Sequence, residues 1–115
     1  TEIYQEISAT FSDQEFNQYN TQHDKTQMSF YEDMGGDPQD WSGMMNDSID
    51  AISASSSNFT SYVAADYMHC IINKPEFYTN ETGGVAIRDW VNDLANGTAA
   101  DDVDCDPDCG SPEPE

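Results

Sequence analysis

The sequence predicts an all-α protein: a small bundle of about four helices over residues 1–98, followed by an acidic, partly disordered, cysteine-containing tail over residues 99–115. Three observations carry that expectation. Apolar residues recur at three- and four-residue spacing in several stretches, which is the period of one helix face. Residues that start and stop helices flank those stretches. No two segments alternate apolar and polar residues as a half-buried strand pair would, and no internal repeat is visible.

The opening TEIYQEISAT suits a short strand or a helical turn with Ile3, Tyr4 and Ile7 buried. FSDQEF follows, in which Ser12 and Glu15 have capping-box spacing and Phe11 and Phe16 the spacing of a hydrophobic staple. A helix is therefore expected from Asp13 toward Met34, with Phe16, Tyr19, His23, Phe30 and Met34 near one face and Gly35-Gly36 as its stop. Asp37 as N-cap, Pro38 at the first position and Asp40 in the first turn open the next helix. It carries Trp41, Met44, Met45, Ile49 and Ile52 at helical spacing and meets, at residues 53–58, a serine-rich break or a weakly helical stretch. A third helix, capped by Ser57 or Asn58, would place Phe59, Tyr62, Val63, Tyr67, Cys70 and Ile71 on one stripe. It ends at Lys74, because a residue before proline avoids helical angles. After the loop EFYTNETGG, a fourth helix over residues 84–95 presents Ile87, Trp90, Val91 and Leu94 on one face, and Asn96-Gly97 closes it. Trp41, Met44, Met45, Tyr62, Tyr67, Met68 and Trp90 are assigned mainly to the core; methionine patches also serve adaptable binding surfaces.

Charge bounds the partners. The chain has 23 acidic residues against Lys25, Lys74 and Arg88, a net charge of -20. Most carboxylates must therefore face water or a cationic partner, and self-repulsion makes stability salt-sensitive. Three scattered cations cannot neutralise a phosphate track, so direct nucleic-acid binding is disfavoured, as is an anionic membrane surface. No apolar run approaches the roughly 18 residues of a membrane-spanning helix. Thr1 is compatible with removal of an initiator Met, signal cleavage or excision of a pro-segment. Acidic, lysine-poor surfaces also occur in salt-adapted proteins.

Cys70, Cys105 and Cys109 are the disulfide candidates. A clip from Cys70 to one tail cysteine would pin the tail to the bundle and leave one thiol for a second chain. The other arrangement is a buried, inert Cys70 with a free or locally paired tail. Asn46, Asn58, Asn80 and Asn96 each open an N-x-[ST] sequon, and all four fall at expected turns, helix ends or solvent faces.

The tail also resembles the opening of a calcium loop. Asp104, Asp106 and Asp108 are spaced two apart, and Glu115 stands at the twelfth position. The pattern then breaks, because Cys109 occupies the turn-glycine place and no exiting helix follows. A solvated acidic arm is the better reading, and no metal or other cofactor is expected. C-x3-C with His69 beside Cys70 lacks the usual zinc spacing. For catalysis only His23 and His69 are near-neutral bases, and residues adjacent on a helix point about 100° apart, so His69 and Cys70 do not pair directly. No catalytic or dinucleotide fingerprint is present.

These features predict a non-enzymatic, secreted effector, signalling or toxin-like subunit. It would bind a basic protein surface, or a second disulfide-linked chain, through its acidic face. The alternative is an intracellular acidic inhibitor that mimics DNA and occupies the basic groove of a nucleic-acid-binding enzyme. Seven acidic residues after position 100 thin the array such a mimic would present on the bundle. An extracellular filament or coat subunit is permitted but required by nothing.

Overall fold

The computed structural model describes residues 1–112 and corrects the predicted fold class: the protein is mixed α/β, 46% helical and 16% strand, not an all-α bundle. In chain order the elements are α1 (Glu2–Thr10), β1 (Phe16–Thr21), α2 (Lys25–Asp33), a 3-10 turn Pro38–Asp40, α3 (Trp41–Ser55) and β2 (Phe59–Ala64). Two further 3-10 turns, Ile71–Asn73 and Pro75–Tyr78, precede β3 (Glu81–Thr82), β4 (Val85–Ala86), α4 (Ile87–Ala95) and β5 (Val103–Asp104).

β1, β2 and β5 form a parallel sheet with β2 in the centre. β1 runs beside β2 in the register Phe16↔Phe59 to Thr21↔Ala64, and β5 joins at Tyr62↔Val103. Parallel strands cannot be joined by a tight turn, so each connection must cross over the sheet. α2 and α3 lie in the first crossover and α4 in the second. β3 and β4 form a separate antiparallel hairpin.

The central strand explains the layering. Successive side chains of a strand point to opposite faces. Phe59 and Val63 of β2 pack with Met45, Ile49 and Ile52 of α3, alongside Tyr4 of α1 and Phe16 of β1. Tyr62 and Ala64 face the other way, against Ile87 and Trp90 of α4, Ile71 and Val103. Tyr62 is 1% exposed; its ring lies 5.5 Å from that of Tyr19 and meets Trp90 edge-on at 5.4 Å. Its hydroxyl donates to Val85 O at 2.5 Å, so the buried phenol is satisfied.

Two predicted helices are therefore strands in whole or in part. In FTSYVA the apolar residues Phe59, Tyr62 and Val63 fit a helical stripe, but they fit a strand buried on both faces equally well. Tertiary pairing decides, in agreement with the β-branched and aromatic content of that stretch. The helix expected from Asp13 to Met34 divides into β1 and α2. FSDQEF forms a turn, with Gln14 N–H donating to Phe11 O, and leads into β1 instead of capping a helix. The polar NTQHDKTQ stretch spans the exit of β1 and the start of α2, where Asp24 is the N-cap. At the start of the chain, α1 is a helix that packs through Tyr4, while Ile3 and Ile7, expected to be buried with it, stay exposed.

The other two expected helices form with shifted bounds: α3 runs into the serine-rich stretch as far as Ser55, and α4 begins at Ile87, because Val85 and Ala86 of the helix expected over 84–95 form β4. Asp37 accepts a hydrogen bond from Gln39 N–H, Pro38 begins the 3-10 turn, and Met45, Ile49 and Ile52 of α3 are buried. α4 buries Ile87 and Trp90 and ends before Gly97, whose φ of +68° suits glycine. The residues expected to be a free tail enter the fold: Val103 and Cys105 are buried in the two opposite core layers.

Two outcomes follow from this packing. Ile52→Ala, at a site 1% exposed, should cost about 2–5 kcal/mol in urea denaturation, whereas Ile72→Ala, 75% exposed, should stay within about 0.5 kcal/mol. Burial raises the hydroxyl pKa values of Tyr19 and Tyr62 above the usual 10, with hydrogen bonds from Thr21 and Thr82 pulling the other way. The neutral phenols thus favour the folded state. Their contribution is complete below pH 10 and is lost as pH rises through the higher folded-state values, so denaturation midpoints should fall above pH 10 and fall less in Tyr19→Phe.

Candidate functional site

In open parallel sheets the loops that leave the carboxyl ends of the strands gather at one edge and carry the sites. Here those loops hold much of the chain's chemistry-bearing sequence. Gln22, His23, Asp24 and Lys25 follow β1; Asp66, His69 and Cys70 follow β2; Cys105 to Cys109 follow β5. Backbone hydrogen bonds continue past the strands and lock the first two loops together: Gln22 N–H to Ala64 O, His23 N–H to Asp66 O and Lys25 N–H to Tyr67 O. Asp66 N–H then donates to Cys109 O at 2.9 Å, which joins the third loop. Gly110, with φ +70°, passes so close to Asp66 that a Cβ would sit 2.0 Å from its Oδ1.

Asp24 is the buried charge of the edge, 7% exposed. One carboxylate oxygen accepts from Gln27 N–H at 2.9 Å and caps α2; the other lies 2.8 Å from His69 Nδ1. A carboxylate offers only acceptors, so Nδ1 carries the proton and the ring orientation is set. The pair ties the start of α2 to the loop after β2. Thr21, donating to Met68 O at 2.6 Å, makes a second tie beside it. Cys70 does not join them. Its backbone is left-handed, φ +54°, and it lines a separate apolar cleft with Tyr19, Ile71, Phe77 and Val91. His23 lies 3.3 Å from Ser42 Oγ, which in turn donates to Gln22 O and anchors the start of α3.

The cysteines correct the expected connection. Cys105 and Cys109 are bonded to each other at 2.02 Å, and Cys70 is free and exposed; the clip from Cys70 to the tail is not made. Asp106, Pro107 and Asp108 span the small ring, in which Asp104 Oδ1 accepts from Asp106 N–H. Asp104, Cys105 and Cys109 place possible metal donors within 4.8 Å of one another, but both sulfurs are spent on the disulfide. Glu115, the twelfth position of the calcium-loop pattern, lies outside the described residues.

Beside this ring a cleft of about 260 Å³ opens along α3. Ile49 and Val63 supply apolar wall, and Asp50, Asp104 and Asp106 bring three carboxylates, with Gln22 and Asn46 between them. No basic residue lines it. Such a cleft accepts a lysine or arginine side chain, its stem on the apolar wall and its head among the carboxylates. The geometry was invisible in sequence, because Asp50 and Asp104 are brought together only by the sheet.

The four sequon asparagines differ in their surroundings. Asn58 is half-buried, and its side-chain amide contacts the carbonyls of Ser8, Phe11 and Gln14, bonds that a glycan would displace. Asn46 lines the acidic cleft. Asn80 and Asn96 are exposed. No helix among the described residues is long and apolar enough to cross a membrane. No protein-family model, curated protein or solved structure matches the chain.

The Asp24–His69 tie yields a stability test. His69→Ala leaves a buried carboxylate oxygen without its donor and should cost about 1–3 kcal/mol in urea denaturation at pH 7. Asp24→Ala also removes the α2 cap and should cost as much or more. The double variant should lose clearly less than the sum, since both changes break one contact. Full additivity would mean the pair does not couple.

Proposed function

We propose that the protein is a non-enzymatic, exported binding subunit that docks on a cationic protein partner through its carboxylate surface. One observation carries this reading. Among the 21 Asp and Glu residues described, only Asp24 is buried and only Glu76 and Asp93 are half-buried, leaving 18 exposed. Two ion pairs occur among the described residues, and only Arg88–Asp89 lies at the exposed surface. The field of this surface is therefore not cancelled from within. Carboxylates held on a rigid frame attract a basic partner at long range and raise its association rate.

The cleft flanking α3 supports the reading at close range, because it couples three carboxylates to an apolar wall. The Cys105–Cys109 disulfide and the exposed Asn80 and Asn96 sequons are compatible with export into an oxidising compartment. A DNA-mimic role gains one specific argument. Asp102 accepts from Ser61 N–H of the central strand, and Asp104, Asp106 and Asp108 sit on β5 and the disulfide ring. The late acidic residues thus enlarge the ordered array that such a mimic would present.

Isothermal titration with a lysine decapeptide at about 0.15 M salt tests the docking reading. Asp50→Asn, Asp104→Asn and Asp106→Asn together should weaken binding about tenfold, or ~1.4 kcal/mol. Neutralising the equal number Glu2, Glu6 and Asp13 on the α1 side should weaken it less than threefold. Equal losses, or no binding by the parent protein, would overturn the reading. Displacement of duplex DNA from a basic DNA-binding domain, with no lysine-peptide preference, would favour the mimic.

A further inference from the structure

α3 has a second flank, and its chemistry differs. Eight large hydrophobic residues are exposed among those described, and three of them, Phe30, Met34 and Met44, line one cleft of about 370 Å³ between α2, α3 and the edge strand β1. They are 57%, 78% and 52% exposed. Trp41 and Tyr31 complete the apolar wall, and Gln18 and Asn20 of β1 provide a polar floor. On α2 and its C-cap the lining positions are 27, 30, 31 and 34, and on α3 they are 41, 44, 45 and 48. Both sets have the spacing of a single helix face, so two helices turn apolar faces into one open groove.

A chain of net charge -20 gains solubility from every polar surface residue, so this apolar patch needs a reason beyond chance. The residues around it say what can cover it. Asp33 lies one turn beyond Phe30, and Asp40 and Asp47 lie one turn either side of Met44; all three are exposed. No basic residue lines the groove. A second copy of this chain would bring another -20 to a site already flanked by Asp33, Asp40 and Asp47, and an anionic membrane would be repelled in the same way. A segment that is apolar on one side and cationic on the other satisfies both parts of the site.

We infer that the groove between α2 and α3 binds a basic amphipathic helix of a partner protein. The inference rests on the docking reading above and names the segment through which the partner is held. Apolar side chains of that helix, repeating at three- and four-residue intervals, enter between Phe30, Met34, Trp41 and Met44. Its lysines or arginines lie outward against Asp33, Asp40 and Asp47. Unbranched methionines rearrange at little cost, so the groove recognises the pattern of the segment more than one sequence. The acidic cleft on the opposite flank of α3 then takes a cationic side chain from the same partner.

The test uses two fluorescent Leu/Lys peptides about five helical turns long. One has its leucines at helical spacing, and the other is a scramble of identical composition and charge. Fluorescence anisotropy at about 0.15 M salt should give at least tenfold tighter binding of the patterned peptide. Met34→Gln with Met44→Gln should abolish that preference and leave scramble binding unchanged. Both side chains are more than half exposed, so the fold tolerates the change, and Ile72→Gln serves as the matched control on the other layer. Asp33→Asn with Asp47→Asn should weaken both peptides. Equal binding of the two peptides by the parent overturns the groove assignment while leaving the acidic docking surface in place. If neither peptide binds, the docking reading itself fails. Self-association, or adsorption to phosphatidylcholine vesicles, that disappears in Met34→Gln/Met44→Gln would assign the groove to a second copy or to lipid and overturn the inference.

Discussion

The parallel pairing of β1 with β2 organises the molecule. It matches Phe16 to Phe59 and Thr21 to Ala64 without a slip, and a shift of one residue would turn every side chain of β1 to the wrong face. Because the strands run in the same direction, the chain between them has to cross over, and α3 lies in that crossover. The same pairing brings the loops after β1 and β2 side by side, where three backbone hydrogen bonds join them. β2 is the element whose loss the structure could least absorb: it contacts both core layers and both neighbouring strands.

Charge is the opposing constraint. A chain of -20 must hold its carboxylates on the outside, and among the described residues it does so with one buried exception. Asp24 is retained inside because both of its oxygens are occupied, by Gln27 N–H and by His69. The buried aromatics supply cohesion against the surface repulsion. Tyr62 alone touches Tyr19 and Trp90 through its ring and Val85 through its hydroxyl. α3 mediates between these demands. Its inward residues Met45, Ile49 and Ile52 close the core, and its two flanks form an acidic cleft and a methionine-lined groove. One helix thus couples fold stability to the surfaces proposed for docking.

Much of the local structure was legible. Asp37 and Pro38 mark a real start, Gly97 a real stop, and the apolar spacing of residues 45, 49 and 52 is the buried face of α3. The strands were not legible, for a definite reason. A central parallel strand is buried on both faces, so it lacks the alternation by which a half-buried strand is recognised. β1 failed differently: FNQYNT is an edge strand with few apolar residues, and the capping-box letters before it fit a turn as well as a helix start. Cys105 and Cys109, four residues apart, pair locally, while the left-handed backbone at Cys70 places it in another cleft.

By itself the sequence determined the properties that depend on composition and near neighbours: the acidic surface, the want of internal cations to neutralise it, and the helix signals at Asp37-Pro38 and Gly97. The tertiary structure alone decided what depends on partners distant in the chain. It made FTSYVA a strand, because the free energy of that segment depends on Phe16 to Thr21 pairing beside it. It drew Val103 into the sheet and set Asp104 and Asp106 against Asp50. It also left Met34 and Met44 facing solvent across a shared groove. Helical periodicity states only which residues share a face, and whether that face meets a core or an open cleft is a property of the packed fold.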